Sequence, residues 1–467
     1  MITDYAQFIE RKMQVGSDHG FDPIWMPSML FPFQRAMVEW SCRKGRAAVF
    51  ADCGLGKTFI QLTWAENVAR KTDGRVLILT PLAVAFQTVK EGEKIGAEVI
   101  HRRDGLHSGD RIVVTNYERL HHFSPDDFDG IVCDESSILK NFDGETRKSV
   151  TDFMRKRPYR LLCTATAAPN DYVELGTSSE ALGDLGSHDM LSRFFKQIND
   201  HSAIARRFAG ASSGKVDVGG LGKYMMRPHA ERDFWRWVCS WARAMRKPSD
   251  LGFDDGAFVL PPLNVRQHVV KANRPRDGFL FDIPAVGLAE QRSDLRNTIG
   301  ERCEMSAELV NAHDRSAVVW CNLNEEGNRL AKAINGAVEV SGNDSEEHKE
   351  ETFAGFIRGD VRVLVTKPVI GGFGLNLQHC AHQTYFPSHS YEQYYQSVRR
   401  CWRFGQRNAV TVDLITTDGQ ENVLANLQRK TDQATAMFDQ LVAMMWKEMK
   451  ITKSNEYTKK ESLPSWL

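Results

Sequence analysis

No run of about 18 apolar residues, the length a helix needs to cross a bilayer, occurs anywhere in the sequence, which excludes a helical membrane span. The first residues, Met1-Ile2-Thr3-Asp4-Tyr5, have neither the basic stretch nor the apolar centre of a secretory signal. The nine cysteines are odd in number and contain no Cys-x-x-Cys pair, so neither a disulfide framework nor a paired-cysteine zinc site is written into them. Cys133 and Cys163 fall inside apolar stretches, the usage of a reducing compartment, and the expected location is the cytosol. Charge of one sign is also missing, because Lys plus Arg and Asp plus Glu both number 60. The whole chain exerts no long-range pull on a polyanion, so any nucleic-acid site has to arise from local segregation of charge.

What is present is length and rhythm. At about 100–200 residues per domain, 467 residues predict two or three domains. From Arg46 to Thr166, short runs that are apolar on both faces alternate with helical segments: 47–51, 76–80, 112–115, 131–134 and 161–164. A parallel sheet covered by helices on both sides demands that pattern. A second set follows Pro261-Pro262, with runs at 265–270, 318–320, 338–340, 361–366, 384–386 and 410–415. The expected fold class is α/β: two doubly wound parallel-sheet domains of similar size.

Between them the rhythm breaks. Arg193 to Lys247 holds twelve Lys or Arg against four acids, interleaved with Phe194, Phe195, Phe208, Tyr224, Phe234, Trp235, Trp237 and Trp241. Two readings are open: a surface that holds phosphates and stacks bases, or an insertion whose aromatics form a small helical core. The domain expectation is a first α/β unit over 1–176, a mainly helical basic and aromatic insertion over 177–260, a second α/β unit over 261–430, and a C-terminal helix and tail over 431–467. The last helix carries an apolar stripe expected to pack on the second sheet.

The strongest local signal is Ala51-Asp52-Cys53-Gly54-Leu55-Gly56-Lys57-Thr58, which follows a strand and opens a helix. Apart from Ala in place of the first Gly, it has the spacing of a phosphate-binding loop. Gly54 and Gly56 let backbone N–H groups approach phosphates, Lys57 reaches the β and γ oxygens, and the Thr58 hydroxyl suits Mg²⁺. About 80 residues later, Ile131-Val132-Cys133 ends in Asp134 and Glu135, with Asp134 suited to the Mg²⁺ shell and Glu135 to polarising the attacking water. ATP and Mg²⁺ are therefore the expected cofactors. His379, Cys380 and His382, and the pair His121-His122, lack a fourth ligand at zinc spacing.

Together with Asp134-Glu135-Ser136-Ser137, Thr164-Ala165-Thr166 and the string from Gln396 through Arg400 and Arg403 to Gln406, this loop resembles the ordered motifs of superfamily-two helicases. The final string is most similar to the Swi/Snf-like branch. The resemblance spans about residues 28–430 and implies two RecA-like domains sharing one ATP. It implies that Phe33-Gln34 reads adenine, that Arg400 and Arg403 reach the γ-phosphate from the second domain, and that Gln396 joins them. It further implies nucleic-acid backbone contacts near Thr80, Thr115, Ser341 and Thr366, with Gly372-Phe373-Gly374-Leu375-Asn376-Leu377 as a further motif.

Asp-Glu-Ser-Ser departs from the Asp-Glu-Ala-His or Asp-Glu-Ala-Asp of relatives, so the coupling given there to the fourth residue falls to Ser137 or lapses. The expected activity is ATP-driven translocation or unwinding on nucleic acid, with DNA favoured. Arg403-Phe-Gly-Gln406 differs from the His-Arg-x-Gly-Arg string of RNA helicases. An RNA helicase and a non-motor ATP-dependent switch or scaffold stay open as alternatives.

Overall fold

A computed structural model describes residues 18–81, 84–105, 109–140, 144–168, 172–198, 216–218, 222–271, 295–372, 375–417 and 420–454. Phe373 and Gly374, along with Arg206, Arg207, Phe208 and Lys215 of the basic stretch, lie outside the described residues.

In the first lobe α1 (Pro32–Lys44) leads into β1 (Arg46–Ala51) and α2 (Lys57–Thr72). Then come β2 (Val76–Thr80), α3 (Ala85–Ile95), β3 (Val99–His101), β4 (Ile112–Asn116), β5 (Gly130–Asp134), α4 (Glu145–Arg155) and β6 (Tyr159–Thr164). Every residue of β2, β4 and β5 is buried, as strands covered on both faces must be. Next, α5 (Leu175–Leu182) and α6 (Ser187–Phe194) precede a small antiparallel sheet of β7 (Phe195–Ile198), β8 (Val216–Val218) and β9 (Gly222–Met226). After that, α7 (Glu231–Trp241) runs into β10 (Ala242–Met245). This last strand lies parallel to β1, with Ala48 opposite Ala242 and Ala51 opposite Met245. The completed sheet has seven strands in the order β10-β1-β6-β5-β2-β4-β3.

The region expected to be a separate helical insertion over 177–260 is thus in large part a continuation of the first lobe. Its aromatics explain why. Phe234, Trp235, Trp237 and Trp241 lie on one face of α7 and are buried in the same core as Phe50, Leu77 and Ile131 of the sheet. Trp237 stacks on Phe194 at 5.5 Å between ring centroids, and Trp241 meets Phe50 edge-on. Rings used this way are not available to stack on bases, and they belong to the first lobe's core rather than to a small core of their own.

The second lobe contains β11 (Leu263–Val270), α8 (Ile299–Asn311), β12 (Ala317–Trp320), α9 (Asn324–Ala333), β13 (Ala337–Val340) and α10 (Glu346–Arg358). It continues with β14 (Val363–Thr366), α11 (Pro368–Gly371), β15 (His382–Tyr385), α12 (Tyr391–Cys401) and β16 (Val410–Thr417). Its six parallel strands run in the order β11-β16-β15-β12-β14-β13. Inside this lobe Arg302 and Glu326 form a fully buried ion pair at 2.7 Å. The Glu326 carboxylate also accepts the N–H groups of Asn322 and Leu323 at 2.8 and 2.9 Å, which helps to compensate a charge so far from water.

The last helix, α13 (Glu421–Ser454), departs from expectation. Its start rests on the second lobe, where Lys430 Nζ donates to the His389 carbonyl at 3.0 Å. Its later turns leave that lobe. Met437, Phe438, Leu441 and Met445 join the core that holds Trp235 and Trp241 of the first lobe. At 1.5 Å per residue a helix of 34 residues is about 50 Å long, more than one lobe's face offers, and the aromatic face of α7 supplies the matching apolar surface. An Arg246–Asp439 ion pair flanks the contact. Among the described residues no helix is long and apolar enough to cross a membrane.

Leu441→Ala should cost about 2–5 kcal/mol, the usual range for a buried Leu truncation. Chemical denaturation measures the loss. Hydrogen exchange should show it as lost protection in α7 and β10, with the second sheet unchanged.

Candidate functional site

The chain leaves β1 through Gly54 and Gly56, both in the left-handed region at φ +89° and +75°, and enters α2 at Lys57. Both glycines are required by close approaches. A Cβ on Gly56 would stand 2.3 Å from Gln34 Nε2, and one on Gly54 would stand 2.8 Å from the backbone nitrogen of Phe404 in the other lobe. The α2 N-terminus has no side-chain cap, so its first N–H groups remain for an anion. Lys57, Thr58, Gln34 and both glycines line a cavity of about 260 Å³ between the lobes. Lys57 Nζ donates to the Ala51 carbonyl at 2.9 Å. The Gln34 amide ties α1 to the loop, accepting from Phe31 N–H and donating to the Leu55 carbonyl, each at 3.0 Å.

Two carboxylates reach the same cavity from β5. Because β6 lies between β1 and β5, all three carboxyl ends point at one crevice, the usual place for a ligand in an open α/β sheet. Asp134 accepts from Gln61 Nε2 at 2.6 Å. Glu135 follows at φ +52°, a left-handed conformation that costs a non-glycine residue on the order of 1–3 kcal/mol and is kept where function requires it. Its carboxylate accepts from Thr164 Oγ1 at 3.2 Å and from Gln396 Nε2 of the second lobe at 3.4 Å. Burial, followed by the charge of Glu135, pushes the Asp134 carboxyl up to about 6, although Gln61 and Lys57 act against that rise.

The opposite wall is α12. Its N-terminus is capped by Ser390, whose hydroxyl accepts Gln393 N–H at 3.3 Å. The helical period turns Glu392, Tyr395, Gln396 and Arg399 towards the first lobe. Arg399 forms a buried ion pair with Asp52 at the root of the glycine loop and donates to the Cys53 carbonyl at 3.1 Å, while Tyr395 donates its hydroxyl proton to the same carboxylate. Burial alone would lower the Arg399 pKa, but Asp52 outweighs it and holds the guanidinium charged. Glu392 pairs with Lys140 and accepts from Thr166 Oγ1 at 3.4 Å. Arg400 donates to Gln396 Oε1 at 2.6 Å, and Arg403 donates to the Leu375 carbonyl at 3.2 Å. Both line the cavity. Burial first, and Arg400 second, lower the Arg403 guanidinium to about 10.

All the expected cavity residues therefore meet: Gln34, Gly54, Gly56, Lys57, Thr58, Asp134, Glu135, Arg400 and Arg403 line it, and Gln396 bridges to Glu135. The expected nucleic-acid residues behave differently. Thr80, Thr115 and Thr366 are buried. Thr80 donates its hydroxyl proton to the Thr115 carbonyl at 3.5 Å, and Thr366 to the Val340 carbonyl at 2.8 Å. The buried Thr115 hydroxyl has no partner among the described residues. Ser341 is half-buried, its N–H donating to Asp344 at 2.7 Å. Among the described residues Ser137 donates only to the Glu135 carbonyl, at 3.5 Å. The cross-lobe link instead runs through Thr166, Lys140 and Glu392. Asp52, Tyr395 and Arg399 were not singled out from the sequence, although Arg399 stands inside the string that marks Arg400.

Two consequences can be measured. The folded protein holds the Asp134 proton more tightly than the unfolded chain does, its value near 6 standing above the ordinary 3.8. Stability from this group is present at low pH and is lost as pH rises towards 6 and above. Asp134→Asn should therefore raise the ligand-free melting temperature at pH 7, by about 2–4 °C per kcal/mol recovered, with a gap that shrinks towards pH 5. Arg399→Leu leaves Asp52 buried and unpaired, a cost of about 3–5 kcal/mol to the closed arrangement. Small-angle scattering should then show a larger radius of gyration in the ligand-free protein, with an unchanged circular dichroism spectrum.

No family model and no curated protein matches this sequence. Solved structures do. The Sulfolobus solfataricus SWI2/SNF2 ATPase core in complex with dsDNA is 15% identical and matches 89% of this chain and 95% of its own, at a TM-score of 0.42. S. cerevisiae Dbp5 bound to RNA and ADP BeF3 is 11% identical over 90% of this chain and 94% of its own, at a TM-score of 0.54. At such identity the likeness is one of fold: two RecA-like α/β lobes facing each other across a cleft.

Proposed function

We propose that this chain is an ATP-driven motor on nucleic acid, hydrolysing ATP between its lobes and tracking along a strand, with DNA as the first choice. The observation that carries this reading is the pair Arg400 and Arg403. Both guanidiniums come from the second lobe and open onto the glycine loop of the first, and neither has a carboxylate at ion-pair distance among the described residues. A buried cation without a counter-charge is costly, and a triphosphate lying on Lys57 supplies the missing charge.

The roles follow from position. Lys57 and the α2 N-terminus hold the β- and γ-phosphates. Glu135, fixed by Thr164 and Gln396, orients the attacking water and takes its proton. Arg400 and Arg403 stabilise the charge that grows as the γ-phosphoryl group leaves. Among the described residues no cluster of three or more His, Cys, Asp or Glu builds a metal cage. The donor set instead suits Mg²⁺ shared with phosphates: Thr58 and Asp134, both lining the cavity, would hold it. When bound, the ion neutralises phosphate charge. Because Gln396 reaches Glu135 directly, a change at the phosphates alters a contact between lobes, and chemistry becomes relative movement.

The yeast neighbour's bound RNA keeps RNA as the second reading, while the Arg403-Phe404-Gly405-Gln406 string favours DNA. ATP hydrolysis rates with single-stranded DNA, duplex DNA, RNA and no nucleic acid test both. DNA should raise the rate. Lys57→Ala, Arg400→Ala and Arg403→Ala should each lower it, the finger substitutions by about 10³ or more. A rate raised by RNA alone would move the assignment to RNA, and a rate that no nucleic acid alters would leave a non-motor switch.

A further inference from the structure

Part of the nucleotide cavity's lining has no use in the phosphate chemistry. Met29, Phe31, Phe258 and Phe404 lie in its wall, and they come from three parts of the chain. Met29 and Phe31 precede α1, Phe404 follows Arg403, and Phe258 belongs to the segment between β10 and β11 that joins the lobes. Phe258 is central. Its ring stacks on Phe404 at 4.5 Å and 24°, and it meets Phe31 and Phe33 edge-on, each at 5.0 Å. Met29 and Phe31 nevertheless stand 48% and 41% exposed, although side chains of this kind are mostly inside. Apolar and aromatic faces left open on a ligand cavity suit a flat group with a π face of its own.

How such a group is recognised depends on what can read its edge. The motif resemblance assigns that task to Gln34, but both ends of its amide are engaged. Oε1 accepts the Phe31 N–H and Nε2 donates to the Leu55 carbonyl, each at 3.0 Å, and the residue is 4% exposed. Adenine and guanine present opposite groups at the six position, an amine donor and a carbonyl acceptor, so telling them apart takes a polar partner held for one of them. A site with such a partner rejects the wrong ligand by about 10⁴–10⁵, whereas stacking tolerates any base because every base has a face. Building on the proposed ATP-hydrolysing function, we infer that this slot holds the nucleobase by its face and not by its edge. Purine nucleoside triphosphates as a class are then the substrates, and Phe258 sets the affinity for the base. Gln34 instead holds the glycine loop against α1.

The test is steady-state hydrolysis of ATP, GTP and ribose 5′-triphosphate, the last of which has the sugar and phosphates and no base. ATP and GTP should give kcat/KM values within about threefold of each other, and ribose triphosphate a KM about tenfold higher, within the range that aromatic stacking supplies. Phe258→Ala should raise the KM for both nucleotides by about tenfold and leave hydrolysis of ribose triphosphate unchanged, which also shows that the variant is folded. Gln34→Ala should leave the ratio of ATP to GTP where it is. An ATP preference over GTP of about 10² or more overturns the inference. So does a Phe258→Ala variant that raises all three KM values alike, because a ring with only a structural role would act that way. ATP-selective hydrolysis that DNA stimulates would sink the inference and keep the proposed function, whereas hydrolysis of no triphosphate by the wild-type chain sinks both.

Discussion

The carboxylate of Asp52, at the root of the glycine loop, lies beneath a guanidinium and a phenol from the other lobe, and that contact decides where everything else in the cleft stands. With Arg399 seated on Asp52, the rotation of α12 about its own axis is fixed. Successive residues of a helix point about 100° apart, so Arg400 cannot share that direction and is turned to the cavity instead. Gln396, one turn earlier, is brought against Glu135. A buried ion pair of this kind adds little net stability compared with an apolar replacement, but it fixes one orientation out of several. Here that orientation places the second lobe's cations over the first lobe's phosphate loop.

The same cleft concentrates groups whose own surroundings do not compensate them. Asp134 resists ionisation, Glu135 sits in a strained conformation, and Arg403 is buried next to another guanidinium. Each cost has the sign that a cation-bearing polyphosphate relieves. Binding energy at such a site includes the release of these costs as well as the new contacts, and loss of the terminal phosphate restores them. On the other side of the molecule, α13 starts on the second lobe and ends in the first lobe's core. The lobes are therefore tied at two places, the cleft and α13.

Much of this architecture is legible in the sequence because parallel strands buried on both faces are continuous apolar runs, and the phosphate loop and acidic pair stand at their ends. The parts that escape have physical reasons. β3 is three residues at a sheet edge and ends in His101, too short for any period. β10 contains Arg243 and pairs with β1 almost two hundred residues earlier, so nothing local marks it as a strand of the first sheet. The aromatics of α7 and the cations around them have the composition of a base-stacking surface. Only the sheet they cover shows that the rings face inward. The Asp52–Arg399 pair joins residues 347 apart, and neither residue's local spacing points to the other. The threonines at the strand ends are in the expected places, but whether a hydroxyl faces a ligand or a neighbouring carbonyl depends on the pleat, which spacing does not fix.

The lobes touch through side chains of their own, and on the proposed reading those contacts bear on how nucleotide can drive them. A ligand moves an equilibrium between open and closed forms only by the difference in its affinity for the two. Contacts such as Asp52–Arg399 and Lys140–Glu392 favour closure whether or not phosphate is present, so they set the starting point and not the response. The response has to come from groups whose energy depends on the ligand, which are Lys57 on one wall and Arg400 and Arg403 on the other. A polyphosphate bridging them binds the closed form more tightly in proportion to the charge it places between the walls. On the proposed reading, cleavage and departure of the γ-phosphate reduce that charge. On the proposed reading the buried Asp52–Arg399 pair sets the register of closure, and because such a pair adds little net stability it leaves the ligand-dependent groups to decide whether the lobes separate.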